Sequence, residues 1–322
     1  MQIENKTFYI DQPHVLRWTE QVKRFLYPFY NLFYKAVSLF LKKDKRETKY
    51  DLSMCSCFKN EAPFLKEWIE YHLFVGYEHF YLYNNNSTDN YAEVLQSYID
   101  RGIVTLIEFP IVPVQVAAYK HFFDTYRNET KWVSFFDIDE FICLYNDESI
   151  KGWLGKFSKY PVVYVYWKYF GSSGLMDHDY NKLVLEQYTY ATDKYVNIGK
   201  TFYNTRYEIA NFDKTMVHFL TVKWNGIKIP AINEAGNFTI WGIQKIRKKD
   251  FTIQLNHYWS KAFNLYVEKY KKGSSANGTL WKKLWVYKET EHLCKDVDVM
   301  ILRFITELKL RMAGIDENKV LD

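Results

Sequence analysis

The chain is 322 residues long, room for one large domain or two small ones, and with 48% hydrophobic residues it can bury a large core. Its formal charge of +5 is modest and its Lys and Arg residues form no regular stripe, which argues against nucleic acid and leaves anionic phosphates or an acidic membrane surface as fits. The aromatic share of 19% suits sugar-stacking platforms, although AT-rich coding also favours Tyr and Phe, so composition alone decides nothing about sugars.

In chain order, the first residues are polar and predict no amino-terminal signal peptide. Residues 25–41 carry a helical period: Phe25, Phe29, Leu32, Phe33, Ala36, Val37 and Phe40 form one face, and Arg24, Asn31, Lys35, Ser38 and Lys42 the other. The stretch is too short and too polar on one side to span a membrane. Lys42, Lys43, Lys45 and Arg46 follow directly. Two readings stand: a helix lying in an anionic membrane interface, or a helix packed on the rest of the protein by that same apolar face.

From residue 50 the pattern alternates. Short apolar runs at 50–57, 79–83, 103–107 and 132–137 read as strands; 63–75, 91–99 and 114–127 read as helices, with Gly76 and Gly102 as stops. This β-α-β-α-β-α-β order predicts an α/β fold with a mixed, mostly parallel sheet and helices on both faces. In such sheets ligands bind at the carboxyl ends of the strands, where Asp137 and Asp139 fall. In an extended chain these two carboxylates share a face while Ile138 points inward. Two adjacent carboxylates call for a cation, and hard oxygen ligands suit Mg²⁺ or Mn²⁺. Farther on, 162–168, 195–202, 215–222 and 251–257 read as strands, 264–272 as a helix and 285–313 as a helical tail. Cys55, Cys57, Cys143 and Cys294 have no zinc or redox spacing and fit a reducing, cytoplasmic setting.

An ordered set of motifs then stands out. Cys57-Phe58-Lys59-Asn60-Glu61-Ala62-Pro63-Phe64-Leu65-Lys66-Glu67-Trp68 is followed by Tyr71-His72, Gly76, Tyr83-Asn84-Asn85-Asn86-Ser87-Thr88-Asp89, Gln115 and Ala118-Tyr119. Phe136-Asp137-Ile138-Asp139-Glu140-Phe141, Phe170-Gly171-Ser172-Ser173-Gly174, Asn256-His257-Tyr258-Trp259-Ser260-Lys261, Lys269 and Gly273 complete it. Over this stretch the chain resembles glycosyltransferase family 92, within the family-2-like GT-A glycosyltransferases. The resemblance implies a GT-A domain at 49–275; it does not cover the ends, which read from their own periodicity as a membrane-proximal helical segment at 1–48 and a helical extension at 276–322.

It further implies a nucleotide-sugar site. Lys59, Asn60 and Glu61 would lie near the base and ribose, and Asn86, Ser87 and Asp89 near the nucleoside, although Asn-Ser-Thr-Asp runs are also turn and cap chemistry. Gln115 and Tyr119 would face the nucleotide or the core. Asp137 and Asp139 would hold Mn²⁺ (or Mg²⁺) against the diphosphate, His257 would complete the coordination with His218 as runner-up, and Lys261 would reach a phosphate. The resemblance implies inversion, hence a general base; Asp177 is the first choice, with Asp179, Glu186 and Glu234 behind it. The expected activity is metal-dependent transfer from a nucleotide-sugar, a UDP-sugar first, to a glycan or lipid-linked saccharide acceptor in surface polysaccharide synthesis. The expected location is cytoplasmic, peripheral on the cytoplasmic face of the membrane. The alternatives are a sugar-nucleotide pyrophosphorylase, disfavoured because residues 57–62 contain no glycine, and a carbohydrate-binding protein without turnover.

Overall fold

The computed structural model describes residues 18–147, 149–196, 198–240, 251–272 and 284–315. The first half alternates as the pattern predicts. After helix α1 (Trp18–Ser38) come β1 (Tyr50–Phe58), α2 (Ala62–Phe74), β2 (His79–Asn84), α3 (Tyr91–Asp100), β3 (Val104–Glu108), α4 (Val114–Thr125), β4 (Thr130–Ser134) and β5 (Glu140–Leu144). β1, β2, β3 and β4 pair in parallel in the order β3-β2-β1-β4, with Ser53 beside His79, Phe80 beside Val104 and Leu52 beside Trp132. β1 lies between β2 and β4, and its Leu52, Met54, Cys55 and Phe58 are buried.

α2 shows how the apolar spacing becomes position. Leu65, Trp68, Ile69 and Tyr71 are fully buried, each contributing roughly 1.5–3 kcal/mol of apolar transfer. The Trp68 Nε1–H donates to the Glu140 carbonyl at 3.0 Å and the Tyr71 hydroxyl to the Ile142 carbonyl at 2.5 Å, so the helix pins β5. Gly76, at φ 110°, ends the helix by letting Tyr77 N–H reach the His72 carbonyl at 2.9 Å.

The second half follows less regular rules. It contains α5 (Ile150–Gly155), β6 (Val162–Tyr169), α6 (Val184–Gln187), β7 (Tyr190–Thr192), β8 (Gly199–Asn204), β9 (Glu208–Ile209), β10 (Thr221–Trp224), β11 (Ile227–Pro230), β12 (Ile232–Asn233) and β13 (Ile253–His257). α7 (Phe263–Lys272), α8 (Leu284–Leu293), β14 (Cys294–Val297) and α9 (Ile305–Met312) close the described chain. The main sheet runs β3-β2-β1-β4-β8-β6-β13-β5, with β12 beside β6; β4–β8, β6–β8 and β13–β5 are antiparallel. The sheet is mixed and mostly parallel with helices on its faces, the α/β plan expected from the sequence. Gly199 is required where β8 crosses β6, because a Cβ there would sit 1.9 Å from the Val165 carbonyl oxygen.

Three expectations are corrected. The strand expected at 215–222 begins only at Thr221; Thr215 to Phe219 form turns in which His218 N–H and Phe219 N–H return to the Thr215 carbonyl. The helical tail expected at 285–313 is broken by β14, whose pairing with β7 outweighs helical spacing, and by a 3-10 turn at Met300–Phe304. The strand expected at 195–202 starts at Gly199 and runs to Asn204, pairing antiparallel with β6 and with β4.

Helix α1 overturns the reading that its phenylalanine face packs inward. Its other face docks: Tyr27 and Tyr30 hydroxyls donate to the Phe238 and Thr239 carbonyls at 3.0 Å, and Asn31 exchanges hydrogen bonds with Asn237 and Phe238. No described helix is long and apolar enough to cross a membrane.

Candidate functional site

The Asp137–Asp139 pair lies beyond the carboxyl end of β4, as expected, but not in extended chain. β4 stops at Ser134, and Glu140 N–H closes a turn onto the Asp137 carbonyl at 3.0 Å. Strand alternation therefore does not align the two carboxylates; the turn sends them to different partners. Ile138 is buried as predicted. Asp137 accepts from Gln115 Nε2 at 3.0 Å and from Lys200 Nζ at 2.8 Å. Asp139 lies 3.5 Å from His257 Nε2 and 2.5 Å from Lys269 Nζ. His257 is the last residue of β13 and stands directly across the ladder from Glu140, the first of β5.

Asp139, Glu140 and His257 form a buried group in which one ligand atom of each lies within 4.8 Å of the others. Glu140 Oε1 is buried with no hydrogen bond, the Lys200 ammonium lying 3.6 Å away, and His257 Nδ1, the ring nitrogen other than the one facing Asp139, is also buried with no hydrogen bond. Buried polar atoms are almost always hydrogen-bonded, so the Glu140 oxygen, with an ion pair but no hydrogen bond, leaves coordination capacity for a cation. Two carboxylates and an imidazole suit Mn²⁺ or Mg²⁺, and the residues fit such an ion. Asp137 stands outside this group.

The electrostatics differ among the three residues. Burial alone would raise the Asp139 carboxyl, but Lys269 and His257 more than offset it and hold the group well below its usual range. Glu140 is pushed well above its range by burial; Lys200 opposes this, and Asp137 and Asp139 reinforce it. Burial lowers His257 against the pull of Asp139, which favours the neutral imidazole that ligates metals. Lys200 is fully buried; burial disfavours its charge, but Asp137 and Glu140 outweigh this and raise it.

The loops after β1 and β2 are built differently. Asn60 N–H donates to Ser87 Oγ at 2.9 Å, Thr88 N–H to Asn60 Oδ1 at 2.7 Å, and Ala62 N–H to Asp89 Oδ2 at 2.8 Å. Asp89 thereby serves the first turn of α2, leaving its Oδ1 buried without a hydrogen bond. Neither Ser87 nor Thr88 caps α3; Asn90 occupies that position with no side-chain cap. Asn60 and Asn86 adopt left-handed φ values of 52° and 57°, and Lys261 one of 49°. Asn tolerates that region, whereas a lysine there is held by its surroundings. Lys261 lies 3.8 Å from Glu61 and over the Phe64 ring. A cleft beside Asp139 is lined by Asn60, Glu61, Pro63, Phe64, Tyr180, Trp259, Ser260, Lys261, Leu265, Glu268 and Lys269.

The model of glycosyltransferase family 92 matches residues 50–282. The chain belongs to glycosyltransferase family 92. It is 36% identical over 109 residues to a family 92 protein of Arabidopsis thaliana, covering 34% of this chain and 19% of that protein. It is 38% identical over 104 residues to one of Ricinus communis, covering 32% and 18%. The aligned segments thus span about a fifth of those relatives. The crystal structure of S. aureus TarS 1–349 in complex with UDP aligns with a TM-score of 0.33 and 13% identity, over 48% of this chain and 47% of that one.

Within this family 92 chain, the structure gathers Asn60, Glu61, Asp139 and Lys261 around one cleft, with His257 beside Asp139. Gln115 reaches Asp137, while the buried Tyr119 ring packs 4.3 Å from that of Phe135. Lys59, Asn86 and Asp177 are exposed, and Asp177 does not line the cleft. Asp179 caps the Asn181 turn, Glu186 meets Lys309 at 2.5 Å and Glu234 holds Thr252. His218 Nδ1 faces the Gly199 carbonyl at 3.2 Å, and burial lowers it to about 4. The sequence reading missed Glu140 and Lys200 as site residues and left Lys269 without a role. The available signal was a charged residue inside an otherwise apolar strand: Glu140 before Phe141-Ile142-Cys143-Leu144, and Lys200 before Thr201-Phe202.

Proposed function

We propose that this family 92 protein is a metal-dependent, inverting glycosyltransferase that moves a sugar from a nucleotide donor, UDP-linked in the first instance, to a glycan or lipid-linked saccharide. Residues 49–275 form the transferring unit, and surface polysaccharide synthesis at the cytoplasmic side of a membrane is the setting. The observation that carries the reading is the buried group Asp139, Glu140 and His257, in which Glu140 Oε1 has no hydrogen bond, beside an aromatic-lined cleft.

Asp139, Glu140 and His257 would hold Mn²⁺ or Mg²⁺, which supplies Lewis-acid stabilisation of the diphosphate leaving group. Asp137 would join the ion only by giving up Lys200, so its part is to orient that ammonium beside Glu140. Lys261 and Lys269 add positive charge where diphosphate would lie. Asn60, Glu61, Asn86, Asp89 and Lys59 handle the nucleoside end, with the orphan Asp89 Oδ1 as the acceptor for a donor hydroxyl or imide. Gln115 steadies Asp137, and Tyr119 packs the wall behind it. Tyr180, exposed at the cleft, offers a surface for an acceptor sugar. A base must take the acceptor proton; Asp177 is one candidate, and Glu268, which lines the cleft, is the other.

The test is release of nucleoside diphosphate from a panel of UDP-, GDP- and CMP-sugars with Mn²⁺ and saccharide acceptors, alongside calorimetric titration of Mn²⁺ alone. The expected result is Mn²⁺ binding lost in Asp139→Ala and donor turnover lost with it. Pyrophosphate release from a nucleoside triphosphate and a sugar phosphate, or Mn²⁺ binding unaltered by the substitution, overturns the reading. Glu268→Gln and Asp177→Asn separate the bases by which one flattens the acidic limb of the pH–rate profile.

A further inference from the structure

The described part of α1 is amphipathic in the inverted sense. Its docked face is the more polar one, with Tyr27, Tyr30, Asn31 and Tyr34 meeting the segment Asn237–Thr239. Its exposed face carries Phe25 at 75% exposure, Phe29 at 67%, Leu32 at 67% and Phe33 at 52%, continued by Phe40 at 70%. At 100° per residue, Phe25, Phe29, Leu32 and Phe33 fall on one side of the helix. Burying such large rings is worth kilocalories, so a contiguous exposed strip of them marks a surface that meets something apolar.

Charge selects the occupant. Residues 18–49 hold eight Lys and Arg against three Asp and Glu, a surplus of five that equals the net charge of the whole chain. Lys23, Lys35, Lys42, Lys43 and Lys45 are exposed along or just beyond the helix. A second copy laid on this strip would bring two such basic segments together and repel, whereas an anionic lipid surface neutralises them. We infer that α1 lies in the interfacial zone of an anionic bilayer, its phenylalanine strip among the acyl-chain boundary and its lysines among the headgroups, held to the protein by its tyrosine face. A helix of this length lies flat along about 30 Å of membrane without crossing it. The inference adds a location to the proposed transferase and does not depend on its chemistry.

The test is flotation of the full chain, in EDTA and without donor, with vesicles of phosphatidylcholine–phosphatidylglycerol or of phosphatidylcholine alone. The chain should float with the anionic vesicles, and at least about tenfold less with neutral ones or at high salt. The double variant Phe29→Glu/Phe33→Glu should lose at least about tenfold of the partitioning while melting as the wild type does, because both side chains are exposed. Three results overturn the inference: no flotation of the wild type, flotation unchanged in the variant, or a wild-type dimer that the variant dissociates without any vesicle binding. Nucleoside diphosphate release with a soluble acceptor, measured on the same variant, reads the transferase proposal separately.

Discussion

The two ends of the candidate site are made from similar polar residues and are wired in opposite ways. At the loops after β1 and β2, Asn60, Ser87, Thr88 and Asp89 bond one another and the first turn of α2, leaving one buried oxygen, Asp89 Oδ1, unused. Around the Asp137 turn, carboxylates face lysines brought from β8 and α7, and a glutamate oxygen and a histidine nitrogen are buried with no hydrogen bond. The first arrangement builds a rigid platform whose polar groups are mostly satisfied by the protein. The second concentrates unbalanced polar atoms in a dry place, the condition under which a bound cation gains most.

Asp139→Ala strikes the second end hardest: turnover should fall about a thousandfold or more with the melting temperature little changed, since the Lys269 side chain is 30% exposed and keeps the Trp259 carbonyl as an acceptor. Normal turnover would remove the distinction between the two ends. Lys200→Met comes next. It leaves Glu140 and Asp137 without their buried ammonium and should cost about 4 kcal/mol in urea-unfolding stability, with Lys200→Arg losing less. A loss under about 1 kcal/mol would show that the carboxylates do not rely on Lys200.

Glu67 tests the satisfied side. This buried carboxylate on α2 accepts from Val184 N–H at 2.8 Å and Leu185 N–H at 3.1 Å. Burial raises it from 4.5 to about 7 despite those bonds. The folded state therefore binds the proton more tightly than the unfolded one. Its contribution is fully present below pH 4.5 and declines as pH rises to about 7, by roughly 3 kcal/mol in all. Melting curves across that window should show the decline in wild type, and Glu67→Gln should flatten it. The smallest effect belongs to Asp89→Ala, expected to cost about 1 kcal/mol by freeing the α2 amino terminus and to raise the donor KM while kcat stays near wild type. A change confined to kcat would move Asp89 from the platform into the chemistry.

The readable parts and the hidden parts separate along the same line. The four parallel strands and their helices were legible because each apolar run alternates with a helical period and is closed by a glycine or a tight turn. Asp137 and Asp139 were legible as a position, at the carboxyl end of β4, yet their orientation was not, because the chain leaves the strand at Ser134 and a turn bond redirects both side chains. The broken helical tail follows the same logic, for nothing near Cys294 announces that it will pair with Thr192, a hundred residues earlier.

The sequence by itself determined the family, the α/β plan and the amphipathic period of α1, since these depend on local spacing and on an ordered set of short motifs. Only the tertiary structure decided that Glu140 and His257 face each other across a ladder, that Lys200 is buried against both Asp137 and Glu140, and that α1 docks by its tyrosines with its phenylalanines outward. Those outcomes depend on strand register and on which face of an element finds a partner. Both are set by residues far away in the chain, where no local pattern can record them.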